Sequence, residues 1–215
     1  MFYINDTHPK GICQVWYKKV NIIDEIILLN YLHTLQYMGG DYNGRDISRE
    51  QRWYHKEGRY FHPKWEIFNR WQSYNYDSVL NFMEPKVNRI VNKILYRSAD
   101  ITNEKQDWMS NSILINKYET GDNIIPKHRD SEHIFGDNPT IAIYSVGAPR
   151  KILFRRVCTD SNKSLKEHEP IDITLESGSL LIMSGAVQKY YTHEIMREPH
   201  IKDVRYSLTF RDHKL

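Results

Sequence analysis

Cysteine is scarce in this chain. Cys13 and Cys158 are the two in 215 residues, far apart and in no C-x-x-C pairing. A disulfide framework and a zinc ribbon are thereby excluded, and a metal site is expected to be built from histidine and carboxylate. Long apolar runs are missing too: no uninterrupted stretch approaches the ~18 residues needed to cross a bilayer. The first ten residues, MFYINDTHPK, lack the basic-then-apolar order of a signal peptide. A soluble, intracellular protein of nucleus or cytoplasm is the expectation. There is no large excess of one charge. Thirty Lys and Arg face 27 Asp and Glu, for a net +3 and a pI near 8.7, which is compatible with a polyanionic partner without requiring one.

What is present is a 40% hydrophobic chain, suited to one domain over residues 1–215 with a sizeable core. It also holds 15 tyrosines and 5 tryptophans, several beside Arg or Lys within residues 49–76. Aromatics interleaved with cations suit stacking on bases and contacting phosphates, and equally suit a protein interface.

Helical periodicity predicts a first helix from Ile22 to Met38, ending at Gly39-Gly40, and a second from about Asn81 to Tyr96 with Pro85 in its first turn. Residues 39–80 between them read as a functional loop or hairpin. After Asp107 the pattern changes to period-two alternation in short segments: 111–118, 140–147, 151–157, 171–175, 179–184, 189–194 and 205–211. Such strands without intervening helices predict an antiparallel barrel or jelly roll, an α+β fold with helices packed around a β core. Residues 1–107 would supply N-terminal helices and a lid, and 108–215 the core. The polar stretch Thr159 to Pro170 reads as a loop.

In Pro126-Lys127-His128-Arg129-Asp130 the His and Asp are two apart, so in extended backbone both side chains leave one face. A third ligand from a distant strand would complete a two-His, one-carboxylate triad for Fe(II) with open positions opposite. His193, near the end of a predicted strand, is the best-placed candidate. Alone, an H-x-D is also what a solvated strand end looks like.

The segment Arg205-Tyr-Ser-Leu-Thr-Phe-Arg211 adds weight. Arg205, Ser207, Thr209 and Arg211 point one way; Tyr206, Leu208 and Phe210 point the other. The two arginine backbones stand about 20 Å apart, too far to converge on one carboxylate. Reaching towards each other, they could grip opposite ends of a short dicarboxylate such as 2-oxoglutarate. An amphipathic edge strand with solvated cations is the alternative. On a third strand Leu114, Asn116 and Tyr118 share a face, offering an apolar wall, an amide and a phenol.

These segments resemble the AlkB family of nucleic-acid dealkylating dioxygenases, particularly the branch of homologues 2 and 3. The matching text is Leu114-Ile-Asn116-Lys-Tyr118, His128-Arg-Asp130-Ser-Glu132, Ile141 to Arg150 (IAIYSVGAPR), Gly178 to Met183 (GSLLIM), Thr192-His193 and Arg205 to Arg211. The likeness runs in order over roughly residues 108–211. Upstream, Arg49-Glu-Gln51-Arg-Trp-Tyr54 looks like the family's weaker R-x-Q-x-x-Y element. The resemblance implies a double-stranded β-helix in which His128, Asp130 and His193 bind iron. It further implies that Asn116, Tyr118, Arg205 and Arg211 hold 2-oxoglutarate, with Leu114 lining the site. Glu132 falls where the family has an acidic residue near the target base, and Arg49, Gln51 and Tyr54 where it has a lid over the nucleotide. Ser207 departs from the family's usual Asn and can replace one amide hydrogen bond but not both.

The implied chemistry uses Fe(II), 2-oxoglutarate and O2 to hydroxylate the carbon on an alkylated base nitrogen. The product collapses to an aldehyde and the repaired base. A base so treated must be flipped or single-stranded, and Trp53, Tyr54, Trp71, Tyr74 and Tyr76 are candidates for the wedge. The expected partner is alkylated DNA, or RNA, met by a monomer and away from membranes. A related oxygenase of RNA modifications or protein side chains, a non-catalytic nucleic-acid-binding module and a metal-storing jelly roll remain alternatives.

Overall fold

The computed structural model describes residues 1–42, 45–62, 71–97, 107–157 and 169–215. The chain opens with β1 (Phe2–His8), β2 (Gly11–Lys19) and α1 (Glu25–Thr34). A hairpin, β3 (Met38–Tyr42) and β4 (Arg45–His55), and the long α2 (Ser78–Arg97) follow. The remainder holds β5 (Ser112–Tyr118), β6 (Ile125–His128), α3 (Glu132–Phe135), β7 (Ile141–Gly147), β8 (Arg150–Arg156), β9 (Ile171–Leu175), β10 (Ser179–Gly185), α4 (Val187–Tyr190), β11 (Tyr191–Ile195) and β12 (Arg205–Arg211).

The strands form two sheets. One has eight strands in the order β1-β2-β10-β7-β12-β5-β4-β3, the other four in the order β6-β11-β8-β9. Strand alternation explains why there are two cores. On β12, Tyr206, Leu208 and Phe210 face the helical layer and pack with Leu28 and Leu32 of α1 and with Leu80, Met83, Val87 and Val91 of α2. Opposite-facing residues of the large sheet, such as Val15, Tyr118, Ile141 and Leu181, meet Ile152, Phe154, Ile173 and Ile195 of the small sheet. All seven residues of β12 are buried, and its polar face is turned into the space between the sheets.

The N-terminal half is less helical than its composition suggests. Residues 2–19 form a β hairpin whose second strand pairs with β10, so the core sheet begins before the helices. The first helix is shorter than Ile22 to Met38. Asp24 caps it by accepting from the backbone N–H of Ile26 and Ile27, and Leu35 is already extended. Ile26 and Ile27 are exposed, and the helix docks instead through Leu28 and Leu32. The second helix begins earlier than Asn81 because Asp77 caps it, accepting from Val79 and Leu80 N–H at 3.0 and 3.1 Å. Pro85 therefore lies inside the helix rather than in its first turn, where it removes one i to i−4 bond. The same Asp77 accepts from the Tyr31 hydroxyl at 2.5 Å, joining the two helices.

Part of the 39–80 stretch is the β3–β4 hairpin, which extends the large sheet beyond β5, with Gln51 opposite Asn116 and Trp53 opposite Leu114. Most of the predicted 159–170 loop lies outside the described residues. Among the described residues, no helix is long and apolar enough to cross a membrane.

Candidate metal centre and cosubstrate pocket

Register brings the metal-ligating side chains together. His193 on β11 is the direct partner of His128 on β6, and their rings lie 4.3 Å apart. Asp130 follows two residues after His128, where the strand has ended and α3 has not begun. Ligand atoms of His128, Asp130 and His193 all lie within 4.8 Å of one another. Nδ1 of His128 is 2.9 Å from the Pro126 carbonyl. A carbonyl only accepts, so Nδ1 carries the proton and Nε2 keeps its lone pair for a metal. Burial and the neighbouring His193 lower the His128 pKa to about 4, so this imidazole is neutral near pH 7.

Asp130 is buried, which alone would push its carboxyl up. The guanidinium of Arg211, followed by the two imidazoles, outweighs burial and holds it far below the ordinary carboxylate range. Arg211 Nη2 donates to Asp130 Oδ1 at 2.7 Å, and the Asp130 backbone N–H donates to Gln188 Oε1 at 2.9 Å. The triad thus holds an ionised acid beside the neutral imidazole of His128, as a divalent cation requires.

A cavity of about 500 Å³, counting the space open at its mouth, runs from this triad between the sheets. Leu114, Asn116, Tyr118, Arg205, Ser207 and Arg211 all line it, and Arg49 joins them. The two arginines mark its ends: Arg211 beside Asp130, and Arg205 deep inside, where Nη2 donates to Ser145 Oγ at 3.0 Å. The Arg205 guanidinium also stands 4.8 Å from the centre of the Tyr118 ring. Buried and without a hydrogen-bond partner are Arg205 Nε and Nη1, the Tyr118 hydroxyl, and Arg211 Nε and Nη1. Buried donors left orphaned are costly. Here they all line one cavity, and an anion with a carboxylate at each end would satisfy them together. The residues present fit iron and 2-oxoglutarate.

Asn116 is the hub of the pocket wall. Its Oδ1 accepts from Arg49 Nε at 2.9 Å and Gln51 Nε2 at 2.8 Å, and its Nδ2 donates to Ser207 Oγ at 3.3 Å. Ser207 thus sits where its hydroxyl meets the amide. Of the residues expected over the nucleotide, Arg49 and Gln51 point into this network. Tyr54 lies on the opposite face of β4, in the core beneath the helices, with its hydroxyl accepting from Arg52 Nε at 2.7 Å. Glu132 opens α3 outside the cavity lining. Its Oε1 accepts from Asn138 N–H at 3.1 Å and is 3.3 Å from Lys189 Nζ.

A family model described as the 2OG-Fe(II) oxygenase superfamily matches residues 32–211. The chain belongs to that superfamily. Among curated relatives, this chain is 32% identical to the Alpha-ketoglutarate-dependent dioxygenase alkB homolog 3 of Rattus norvegicus over 139 residues, 64% of this chain and 46% of that protein. It is 30% identical to the DNA oxidative demethylase ALKBH2 of Arabidopsis thaliana over 116 residues, 47% of this chain and 37% of that protein. Its likeness within the superfamily is therefore to AlkB homologues 2 and 3, and it spans less than half the length of these relatives. Among solved structures, OsALKBH1 superposes with a TM-score of 0.63 at 18% identity, covering 92% of this chain and 97% of that one. A 2OG-Fe(II) oxygenase-family protein from Burkholderia pseudomallei gives 0.59 at 14% identity, covering 92% and 84%. At these identities the agreement is one of fold, a jelly roll.

Several residues of the site carry no role read from the sequence, although Ser145 and Arg150 stand in the text that matches the family. Ser145 contacts Arg205 because β7 lies beside β12, where Ser145 is opposite Ser207. Gln188 reaches Asp130 from the one-turn α4. Arg150 is fully buried. It bonds Glu198 Oε2 at 3.1 Å and the carbonyls of Thr120, Gly121, Asn123 and Met196, and it stands 5.7 Å from the Tyr118 ring. It clamps two loops where the backbones nearly touch: a Cβ on Gly121 would meet the Glu198 carbonyl oxygen at 1.7 Å.

At the metal end, Trp53, Phe61, Phe135, His55 and His213 form one aromatic cluster with ring separations of 5.1–6.0 Å. Arg211 stands 4.9 Å from the Phe135 ring. His55 Nδ1 accepts from Glu57 N–H at 3.0 Å, and burial, then His213, lowers its pKa to about 4. The unfolded chain titrates near 6.5, so between about pH 6.5 and 4 the unfolded state binds the extra proton. His55 therefore favours the fold fully above about pH 6.5, and this contribution erodes as pH falls towards 4. Urea unfolding at pH 7 and pH 5 should show a loss on acidification that shrinks in His55→Leu. An unchanged pH response in that variant would discount His55 as the source.

Proposed function

We propose that this chain is an Fe(II)- and 2-oxoglutarate-dependent dioxygenase that removes alkyl groups from the nitrogens of DNA bases, 1-methyladenine and 3-methylcytosine being representative lesions. The observation that carries the reading is one cavity that holds both the His128–Asp130–His193 triad and the orphaned donors of Arg205, Tyr118 and Arg211. The names of the relatives, a DNA oxidative demethylase among them, support the substrate class.

His128, Asp130 and His193 would hold the iron, which, supplied with 2-oxoglutarate and O2, provides the oxidising power for C–H hydroxylation. The protein residues position and exclude. Arg205 and Tyr118 would bind the far carboxylate in a buried pocket, where charge-assisted hydrogen bonds are strong. Arg211 keeps Asp130 ionised and fixes its orientation. Asn116 holds the pocket wall, with Arg49 and Gln51 packed behind it. Glu132, two residues from Asp130, would accept from an exocyclic amine of the base after turning from Asn138 and Lys189.

Mass spectrometry of methylated oligonucleotides incubated with Fe(II), 2-oxoglutarate and ascorbate tests the reading. Single-stranded DNA, duplex DNA and RNA are compared, with His128→Ala as control. Loss of a methyl mass from DNA that needs both cosubstrate and His128 is expected. Glu132→Ala should lower that repair about 10- to 100-fold, the effect of one hydrogen bond to a charged acceptor. It should leave uncoupled 2-oxoglutarate turnover much less affected. Demethylation of RNA alone, or none on any strand, would overturn the substrate assignment.

A further inference from the structure

A second convergence of metal-ligating side chains lies at the β1 edge of the large sheet. Asp6 and His8 are two apart on β1, and register places Cys13 of β2 directly opposite Asp6. A carboxylate oxygen of Asp6, a ring nitrogen of His8 and Cys13 Sγ all lie within 4.8 Å of one another. Cys13 is fully buried in the inter-sheet core, and the His8 side chain is only 5% exposed, stacked on the Tyr190 ring at 4.2 Å. Asp6 Oδ2 accepts from the Tyr191 hydroxyl at 2.8 Å and lies 2.8 Å from His8 Nε2. Asp6 Oδ1, in contrast, is buried with no hydrogen-bond partner. An acceptor without a donor, beside a buried thiol and a stacked imidazole, is unexplained by packing alone.

We propose that Asp6, His8 and Cys13 form a second metal site, selective for Zn(II) and independent of the oxygenase reading. A mixed sulfur, nitrogen and oxygen set suits zinc, whereas Mg(II) and Ca(II) prefer oxygen alone. Tetrahedral zinc with bonds of about 2.0–2.3 Å spaces its ligand atoms about 3.3–3.8 Å apart, within reach of these side chains by small rotations. On binding, the Cys13 thiol gives up its proton to solvent. His8 turns Nε2 from Asp6 to the metal and carries its proton on Nδ1. Arg156, whose Nη2 lies 3.3 Å from Nδ1, swings outward from its exposed position. Asp6 ligates through Oδ1 and keeps Tyr191 on Oδ2, leaving the fourth position to water. The site would lock β1 to β2, with Asp6 kept bonded to Tyr191 of β11, two residues before His193.

Cobalt(II) absorption on the full chain is the test. Thiolate ligation gives an intense near-ultraviolet charge-transfer band, which the sulfur-free iron triad cannot produce. The band is expected in the wild type and in Cys158→Ser and to be absent in Cys13→Ser. One equivalent of Zn(II) should bleach it, and His8→Gln should weaken Co(II) binding at that band at least about tenfold. No band in the wild type, a band that survives Cys13→Ser, a band lost in Cys158→Ser, or one indifferent to His8→Gln would each overturn the proposal. Should Cys13→Ser fail to fold, the other three measurements still decide it.

Discussion

Asp130→Ala is expected to abolish metal binding and to destabilise the metal-free protein by about 3–5 kcal/mol, the range for removing one partner of a buried ion pair. The second effect arises from Arg211. Its Nη2 donates to Asp130 Oδ1 at 2.7 Å, and both side chains are at most 10% exposed, so alanine leaves a buried cation without a counter-charge. Asp130→Asn should lose metal as completely while costing the fold less, because the amide oxygen still accepts from Arg211. Mn(II) titration reads the first effect and urea unfolding the second. A metal-free Asp130→Ala as stable as the wild type would show that the pair contributes nothing to the fold.

Arg205→Met should behave in the opposite way. Binding of 2-oxoglutarate is expected to weaken about 100-fold or more, since two charge-assisted hydrogen bonds at about 1.5–3 kcal/mol each are lost. The cosubstrate-free protein should be no less stable than the wild type, because Arg205 is buried with Nε and Nη1 unpartnered. A well-packed apolar side chain in place of such a charge is neutral or favourable. Arg205→Lys should recover part of the affinity as a point charge without the planar fork. Calorimetric titration with 2-oxoglutarate in the presence of Mn(II) measures the affinities. Unchanged binding in Arg205→Met would remove Arg205 from the cosubstrate site.

The core strands were legible in the sequence because a two-sheet sandwich forces alternation. In RYSLTFR the apolar residues must face the helices and the polar ones the cavity, so the period-two text states both the strand and the direction of its arginines. The triad was legible for a related reason: His128 and Asp130 are local in sequence, and His193 sits on a strand with clear alternation. The β1 strand carried no such signal. It is an edge strand whose burial runs from exposed to intermediate with Ile4 alone buried, so nothing in FYINDTH marks a buried face. Helix ends depended on the Asp24 and Asp77 side chains, whose capping is visible only once the backbone turns. Contacts such as Gln188 with Asp130, Ser145 with Arg205 and the five bonds of Arg150 join residues dozens of positions apart. They follow from sheet order and register, which one sequence does not print. The expectation that metal ligation would involve histidine and carboxylate alone meets the same limit, because Cys13 reaches Asp6 and His8 only through the pairing of β1 with β2.

The large sheet has two faces with different obligations. The helix-side face is held by Leu28, Leu32, Leu80, Val87 and their partners, where any side chain of suitable volume serves. On β12 the cavity-side face is held by charge and hydrogen-bond geometry, where volume is not enough. Along β12 these constraints alternate residue by residue, so neighbouring codons are under different selection. Substitutions at 208 and 210 can drift among apolar residues and be felt as stability, and those at 206 also lose the Tyr206–His33 hydrogen bond, whereas those at 205, 207 and 211 would be felt at the proposed site. A library that randomises the even positions alone would therefore tune the robustness of this protein while leaving its reactive interior as it is.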